Sequence, residues 1–373
     1  MTGEPGDLAA RPPIARTAPA SGLWRRDRGS LVLSSGEASQ IHGRGYYGSV
    51  QSGGSLQLDP FETLYLVETE RLTLRDRRGR DVDFPSLLRM VHGRRRGGDL
   101  RYLVYRDLRQ RGYVVRLASG PLDFAVLPRG GSWPKTPSRY WVRCLSERSR
   151  VRLSDLVSWT EQATSARKTL LLAVIDEESD LTYYRIGWVR PRGSWARRPQ
   201  GGPYPALFLG DRITVLDTKG VSELTAQGFY GCAVGRRLEL SLLEALYLLE
   251  EGILELRDGA RGQGVPLEDF RKRAQRVERD LFQRLPVYRH LRASGLIPKT
   301  GFKYGTHFRA YERDPEATHA RYLIHTVAPE ESLSWPEVSR GVRLAQGVRK
   351  EFFLAWTPVD GTPRYLQLER IRP

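Results

Sequence analysis

Residues 56–66, Leu-Gln-Leu-Asp-Pro-Phe-Glu-Thr-Leu-Tyr-Leu, recur in the second half of the chain as residues 238–248, Leu-Glu-Leu-Ser-Leu-Leu-Glu-Ala-Leu-Tyr-Leu. Both stretches begin with Leu-x-Leu and end with Glu-x-Leu-Tyr-Leu, and their apolar residues have the spacing of a helix with one buried face. A pattern of this length at a fixed distance indicates that one structural module is present twice.

Further matches follow in the same order along the 373-residue chain. Val104-Tyr105-Arg106 recurs as Val287-Tyr288-Arg289, and Arg167-Lys168 recurs as Arg349-Lys350. Because the distance between matching positions barely changes, we interpret residues 29–191 and 207–373 as two copies of the module.

Each copy is predicted to have an α+β fold, with a small N-terminal α+β subdomain and a larger C-terminal mixed-sheet subdomain of nuclease type. Helical patterns alternate with short runs such as Thr169–Ile175, which has the length of a strand. The predicted segments are a flexible tail (1–28), the two subdomains of copy 1 (29–92 and 98–191), a linker (192–206), and the two subdomains of copy 2 (207–275 and 276–373). In the last segment, Ser334 and Glu337 have the spacing of a capping box at the start of a helix.

Charge and composition favour a polyanionic partner. The chain has 60 Lys and Arg against 43 Asp and Glu, a formal charge of +17. Neutralising phosphates releases counterions, so nucleic acid is the leading candidate for the partner. The alternative is a basic soluble protein that has this charge for another reason. Two cysteines, Cys144 and Cys232, cannot make a zinc cage, and no apolar run reaches the length of a membrane span. We therefore expect a cytoplasmic protein with no membrane association, no metal and no cofactor.

Three polar residues near the C-terminus stand in a specific pattern. Tyr311 ends the stretch that begins Gly301-Phe-Lys-Tyr-Gly, His319 precedes a Tyr-Leu-Ile run, and Lys350 follows Val-Arg. This pattern resembles the catalytic domain of the archaeal tRNA-splicing endonucleases. The resemblance implies that Tyr311, His319 and Lys350 are catalytic. One departure is Asp314-Pro315 in the loop between the tyrosine and the histidine, and another is Ala320, where the family usually has serine.

The chemistry of these three side chains suits RNA cleavage, independently of the resemblance to the family. A ribose 2′-hydroxyl can attack the adjacent phosphorus if a base takes its proton, an acid protonates the leaving 5′-oxygen and a cation stabilises the intermediate. Histidine titrates near neutral pH, so His319 suits the acid. Lys350 suits the phosphorane contact. Tyr311 needs a nearby cation to act as the base, because a phenol is a weak acid.

The first copy is predicted to be catalytically dead. Leu127, Pro137 and Lys168 stand where the second copy has Tyr311, His319 and Lys350. Neither a leucine nor a proline side chain exchanges a proton.

The resemblance also implies an assembly and an RNA-binding surface. In the family an acidic loop docks into a basic pocket of the neighbouring subunit, and cationic side chains hold a bulged base. The loop corresponds here to Asp176, Glu177, Glu178 and Asp180, which implies a homodimer; a solvated acidic turn is the alternative. The base-holding position falls on Arg343, with Arg370 or Arg364 as the second residue. Each of these arginines could equally be an ordinary surface residue.

We therefore predict an endonuclease that excises introns from precursor tRNA at bulge-helix-bulge structures, leaves 2′,3′-cyclic phosphate and 5′-hydroxyl ends, and needs no metal. The alternatives are a non-catalytic RNA-binding subunit and a metal-dependent DNA nuclease, although the second copy lacks the carboxylate pair and Glu-x-Lys of the latter. His307 is interpreted as an RNA contact at most. Gly43, Gly45 and Gly48 fit a dinucleotide-binding pattern, but residues 49–55 do not have the pattern of a helix.

Overall fold

The computed structural model describes residues 18–25, 29–94, 97–197 and 199–373. These residues form two compact units. Unit 1 comprises the described part of residues 1–119 together with 123–139, and unit 2 comprises 120–122 and 140–373. The division falls inside the predicted subdomain 98–191, because the strands of copy 1 that follow Arg139 share a sheet with copy 2.

Unit 1 is built on a five-stranded sheet. Its elements are β1 (Ala20–Arg25), β2 (Gly29–Val32), α1 (Ser35–Gly43), β3 (Ser49–Val50), β4 (Leu56–Leu58), α2 (Pro60–Glu68), β5 (Leu72–Arg75), α3 (Phe84–Arg94), α4 (Gly98–Gln110), β6 (Val115–Leu117) and β7 (Phe124–Val126). The sheet order is β3-β4-β2-β1-β5, and β6 and β7 form an antiparallel hairpin. β1 lies within the predicted tail, so the prediction of a flexible tail is wrong for Ala20–Arg25. Residues 1–17 and 26–28 of that tail lie outside the described residues.

Unit 2 holds the equivalent five-stranded sheet and a larger mixed sheet. Its elements are β8 (Tyr140–Ser146), β9 (Arg150–Arg152), α5 (Leu153–Ser165), β10 (Thr169–Ile175), β11 (Leu181–Val189), β12 (Tyr204–Phe208), β13 (Ile213–Val215), α6 (Thr218–Ala226), β14 (Cys232–Val234), β15 (Arg237–Leu240), α7 (Leu242–Glu250), β16 (Leu254–Asp258), α8 (Leu267–Val277), α9 (Leu281–Ala293), β17 (Ile297–Thr300), a 3₁₀ turn (Phe302–Tyr304), β18 (Phe308–Tyr311), β19 (Tyr322–Thr326), β20 (Ser332–Ser334), α10 (Trp335–Gly347), β21 (Glu351–Trp356) and β22 (Arg364–Ile371). The small sheet has the order β14-β15-β13-β12-β16, which repeats the order in unit 1 strand for strand. The predicted α+β class and the duplication are thereby confirmed.

The repeated glutamate of the opening pattern explains why both copies fold alike. Glu62 completes a capping box with Asp59 at the start of α2, and its carboxylate also accepts a hydrogen bond from Gly48 N at 2.9 Å. Glu244 does the same for α7 and Gly231 N, at 3.0 Å. Gly48 has φ +69°, and a Cβ there would lie 2.7 Å from Gln57 O. One buried carboxylate therefore fixes both the helix start and the preceding turn.

In the larger sheet of unit 2 the strands lie in the order β17-β18-β19-β21-β22-β11-β10-β8. β22 of the second copy is antiparallel to β11 of the first, and Ile186 lies opposite Leu368, its own counterpart in the repeat. In the two-stranded ribbon of β9 and β20, Val151 likewise lies opposite Leu333. Equivalent residues facing one another define a pseudo-twofold axis between the two halves of this sheet.

Two local predictions have different outcomes. Residues 49–50 form a strand after Gly48, so the absence of a helix after the glycine pattern is confirmed. The prediction of a capping box at the start of α10 is wrong: Ser334 precedes the helix, but its side chain caps no backbone N–H. Ser334 is instead the last residue of β20, where its backbone pairs with β9 opposite Arg150. No described helix is long and apolar enough to cross a membrane.

Candidate active site

The ends of three neighbouring strands bring Tyr311, His319 and Lys350 to one end of the large sheet. β18 is antiparallel to β19, and β19 is parallel to β21, so the C-terminus of β18 lies beside the N-termini of the other two strands. Arg321 links them, because its N–H donates to Ala310 O and its carbonyl accepts from Glu351 N, both at 3.0 Å. Tyr311 ends the first strand, His319 lies in the loop before the second and Lys350 immediately precedes the third.

Lys350 is held by a tight turn after α10. Arg349 has φ +54°, a left-handed conformation rare for a side chain with a Cβ, and Lys350 N then donates to Ala345 O at 2.8 Å. The ammonium Nζ donates to Ala320 O at 2.7 Å. Because Ala320 directly follows His319, this contact ties the ammonium to the loop that carries the imidazole.

The His319 loop is shaped by Asp314, one of the residues at which this sequence departs from the pattern it resembles. The carboxylate of Asp314 accepts from Glu316 N at 2.7 Å, and its carbonyl accepts from the Thr318 hydroxyl at 2.8 Å. These bonds close a turn that ends one residue before His319. The His319 side chain is exposed, whereas Ala320 is only 4 % exposed.

Arg309 is the cation beside Tyr311 that sequence reasoning missed. Its guanidinium carbon lies 5.8 Å from the centre of the Tyr311 ring. Its Nε atom is buried and has no hydrogen-bond partner among the described residues. The signal was available, since residues two apart on one strand share a face. A guanidinium over the face of an aromatic ring is attracted to it, so Arg309 helps to hold the Tyr311 ring in place.

The carboxylates near this end of the sheet are paired with a cation. Arg321 donates to Glu312 and to Glu351, each at 2.8 Å. Glu312 also accepts from the Tyr322 hydroxyl at 2.7 Å, and burial together with this bond raises the pKa of Tyr322. Among the described residues, no group of three or more His, Cys, Asp or Glu side chains could hold a metal ion.

The structure separates the three candidate RNA-binding arginines. Arg370 lines a cavity of about 370 Å³ that Lys350 also lines. Arg343 is exposed on α10, the helix that leads to Lys350. Arg364, in contrast, lies opposite Trp356 at the far end of β21 and forms an ion pair with Asp360 at 2.9 Å. The structure therefore does not bring Arg364 to the end of the sheet that carries Lys350.

His307 immediately precedes β18 and contacts the last residue of β19. Its Nδ1 accepts a hydrogen bond from Thr326 N at 2.9 Å, and its Nε2 lies 3.2 Å from Asp280. The ring stacks on His325 at 4.5 Å. Burial and the neighbouring His325 lower the pKa of His307 to about 4. A neutral, half-buried ring with these partners does not match the interpretation of His307 as an RNA contact.

The first copy repeats the lysine but not the other two groups. Arg167 has φ +56°, as Arg349 has φ +54°, and places Lys168 before β10. Lys168 lines a cavity of about 220 Å³, but Leu127 is fully buried after β7. The predicted acidic interface loop forms a tight turn between β10 and β11, where Glu177 pairs with Arg148 at 2.6 Å.

Comparison with known proteins gives one consistent family. The model of the tRNA intron endonuclease catalytic C-terminal domain matches residues 99–183 and again 281–365. The model of the tRNA intron endonuclease N-terminal domain matches residues 27–88 and again 204–271. Each domain is therefore present twice, as the repeat predicted.

Curated relatives match over most of the chain. A tRNA-splicing endonuclease of Methanococcoides burtonii is 35% identical, covering 90% of this chain and 95% of the relative. That of Methanosarcina acetivorans is 35% identical, covering 92% and 98%. That of Halobacterium salinarum is 33% identical, covering 93% and 98%.

Proposed function

The chain belongs to the tRNA intron endonuclease family, and from this membership we propose that it excises introns from precursor tRNA by cutting at bulge-helix-bulge structures. The relatives that carry the name tRNA-splicing endonuclease match nearly their whole length, so both duplicated domains are included. The observation that supports catalysis by this chain itself is the contact of the Lys350 ammonium with Ala320 O, at 2.7 Å. It holds a cation against the loop that carries the exposed His319, at the end of the sheet where Tyr311 lies.

The proposed chemistry is transfer of the phosphodiester to the neighbouring ribose hydroxyl. Tyr311, as the phenolate, takes the 2′-hydroxyl proton while the 2′-oxygen bonds to phosphorus. The bond from phosphorus to the 5′-oxygen breaks, and His319 gives that oxygen a proton. Lys350 stabilises the extra negative charge on the phosphorane. The products are a 2′,3′-cyclic phosphate and a 5′-hydroxyl, and we propose that no metal takes part.

Arg343 and Arg370 are proposed to hold a bulged base. Both are exposed, Arg343 on the helix before Lys350 and Arg370 at the cavity that Lys350 shares. Guanidinium planes stack on nucleobases, which is a common mode of recognition for unpaired RNA. We further propose that two chains associate, with the acidic loop Asp176–Asp180 of each chain against the other.

The duplicated chain offers a matched test of the catalytic proposal. Lys350→Ala should lower the single-turnover cleavage rate of a bulged model RNA by about 10²–10³-fold, the usual effect of removing a group that stabilises a transition-state oxyanion. Lys168→Ala changes the same position in the first copy and should cleave at the wild-type rate. His319→Ala should lose a comparable factor, and the wild-type rate should be unchanged in excess chelator.

Three results would contradict the proposal. Equal losses for the two lysine variants would show that Lys350 has no special role. Loss of wild-type cleavage in chelator would favour metal-dependent chemistry. Tight binding of the bulged RNA without cleavage would favour the non-catalytic RNA-binding subunit.

A further inference from the structure

Phe302 exposes its ring to solvent in a turn that lies close to Lys350 of the candidate active site. Its relative exposure is 88 %, although phenylalanine is among the residues most often buried. It begins the 3₁₀ turn that connects β17 to β18. The ring of Tyr304, in the same turn, has its centre 6.0 Å from the Lys350 ammonium. An exposed aromatic ring near reactive groups suggests a ligand that supplies its missing partner.

The turn holds the ring outward by backbone hydrogen bonds. Tyr304 N donates to Gly301 O at 2.8 Å, and Gly305 N donates to Phe302 O at 3.0 Å. Phe302 N donates to the Thr300 hydroxyl at 3.3 Å. A Cβ on Gly301 would lie 2.4 Å from the Thr306 hydroxyl oxygen, so the turn is closely packed at its base. The position of Phe302 is therefore set by the fold and needs no contact from the ring itself.

Two ammonium groups lie beside this turn. The Nζ atoms of Lys303 and Lys350 lie 5.1 and 6.0 Å from the centre of the Tyr304 ring. The turn thus combines cations suited to phosphates with an exposed aromatic surface. Proteins that bind single-stranded nucleic acid use this combination, because every base can stack on an aromatic face while the cations follow the backbone.

The first copy shows that the fold does not require these side chains. Its corresponding hairpin joins β6 to β7 through residues 118–123, Ala-Ser-Gly-Pro-Leu-Asp. This loop has no aromatic residue and no lysine, yet the hairpin forms. The exposed ring and the lysine beside it are therefore found only in the hairpin that leads to Tyr311.

We propose that Phe302 stacks on an unpaired nucleobase next to the scissile phosphate, and that Lys303 binds the neighbouring phosphate. This inference rests on the proposed function, because it assumes that RNA occupies the end of the sheet at Tyr311, His319 and Lys350. Stacking by Phe302 holds the flanking nucleotide, so it acts on binding of the RNA and not on the chemical step.

The test compares Phe302→Ala and Phe302→Trp on bulged RNA and on the same RNA with single abasic sites at the unpaired positions. Loss of one aromatic–base stack should raise the KM of Phe302→Ala by about 5- to 150-fold, with the single-turnover rate at saturating RNA nearly unchanged. Phe302→Trp should keep the wild-type KM. With the abasic site at the stacked position, wild type and Phe302→Ala should have the same KM.

Val359→Ala is the matched control. Val359 is as exposed as a free residue, at 106 %, and lies in the loop between β21 and β22, at the opposite end of β21 from Lys350. Its removal should leave KM unchanged. A wild-type KM for Phe302→Ala, or an increase that persists with every abasic RNA, would overturn the proposal. So would a smaller native mass for Phe302→Ala, which would identify the ring as a protein contact.

Failure of the proposed function would be recognised separately. If the wild type cleaves no bulged RNA, the proposed function fails. The stacking can still be tested by the fluorescence of RNA that carries 2-aminopurine at the unpaired positions. If the wild type quenches the 2-aminopurine fluorescence and Phe302→Ala does not, the inference is supported. Equal fluorescence with both proteins overturns it.

Discussion

At the scale of single residues, the position of the Tyr311 ring depends on Arg309. The guanidinium carbon lies 5.8 Å from the ring centre, within the range of a cation–π contact. We expect Arg309→Met to lower the single-turnover rate by about 2- to 5-fold, the effect of losing roughly 0.5–1 kcal/mol that holds the ring in place. Arg309→Lys, which keeps a cation, should recover part of the activity. A wild-type rate for Arg309→Met, or equal losses in both variants, would contradict this role.

The candidate site was predictable only where its residues follow a sequence pattern. Spacing was sufficient to single out Tyr311, His319 and Lys350, and the alternation of a strand would have added Arg309. The contribution of Asp314 was not visible, because its two hydrogen bonds depend on how the loop turns. Ser334 shows the opposite error: a capping pattern is present, but the backbone of Ser334 belongs to a strand pair and its side chain makes no cap.

At the scale of secondary-structure elements, the two residues at the centre of the β11–β22 pair should be energetically coupled. Ile186 and Leu368 lie opposite one another and are 2 % and 1 % exposed. Replacing either residue by alanine should lower the free energy of unfolding by about 2–4 kcal/mol, because each change leaves a cavity. The double variant should lose less than the sum of the two by about 0.5 kcal/mol or more, since one cavity is shared. Urea unfolding of the four proteins tests this, and strict additivity would contradict it.

The stacked pair of His307, which precedes β18, and His325, in β19, should make the stability of the protein sensitive to acid. The pKa of His307 is lowered to about 4 by burial and by His325, whereas an unfolded histidine has its ordinary value near 6.5. The unfolded chain therefore binds a proton that the folded chain does not, and the free energy of unfolding falls as the pH falls from about 6.5 to about 4. His307→Asn keeps an acceptor for Thr326 N and does not titrate.

We expect wild type to lose up to roughly 3 kcal/mol more than His307→Asn across that pH range, a difference measured by urea unfolding at several pH values. His92→Asn serves as the control for removing a more exposed histidine. Parallel profiles for wild type and His307→Asn would show that His307 does not cause the acid sensitivity.

Elements were predicted best where their signal is local. The strand Thr169–Ile175 has the predicted bounds, since its continuous apolar run is a local property. β1 was missed because its residues adjoin a segment rich in proline, alanine and glycine, and its strand conformation depends on pairing with β2 and β5. The pairing of β11 with β22 joins residues from the two halves of the chain, and no local pattern reports such a contact.

At the scale of the whole molecule, the duplication places both halves of a symmetric arrangement in one chain. Lys168 and Lys350 occupy equivalent turns, but only the second copy has Tyr311 and His319. One chain therefore carries one complete candidate site. Two cuts on one intron would need either two binding events or two chains, and this requirement is the functional reason to expect association.

The acidic loop between β10 and β11 provides the test of that association. Asp176, Glu177, Glu178 and Asp180 lie in a turn whose backbone is fixed by Asp176, since its carboxylate accepts from the N–H groups of Glu178 and Asp180 at 3.1 and 2.8 Å. Because the chain has a formal charge of +17, a compact acidic loop is attracted by the net charge of a second copy. We expect wild type to have the native mass of two chains. Replacing Glu177, Glu178 and Asp180 by alanine, which spares Asp176 and so preserves the turn, should shift the mass towards one chain and weaken cleavage.

The loop between β21 and β22 supplies the control, because it occupies the equivalent place in the second copy. Asp360→Ala removes a carboxylate there that pairs with Arg364, and it should leave the native mass unchanged. Because exposed charges are screened by salt, the wild-type dimer should dissociate as the salt concentration is raised. The triple variant lacks the acidic charges, so its native mass should change less, a comparison suited to sedimentation at several salt concentrations. A single-chain mass for wild type, or an unchanged mass for the triple variant, would show that the acidic loop does not join two chains.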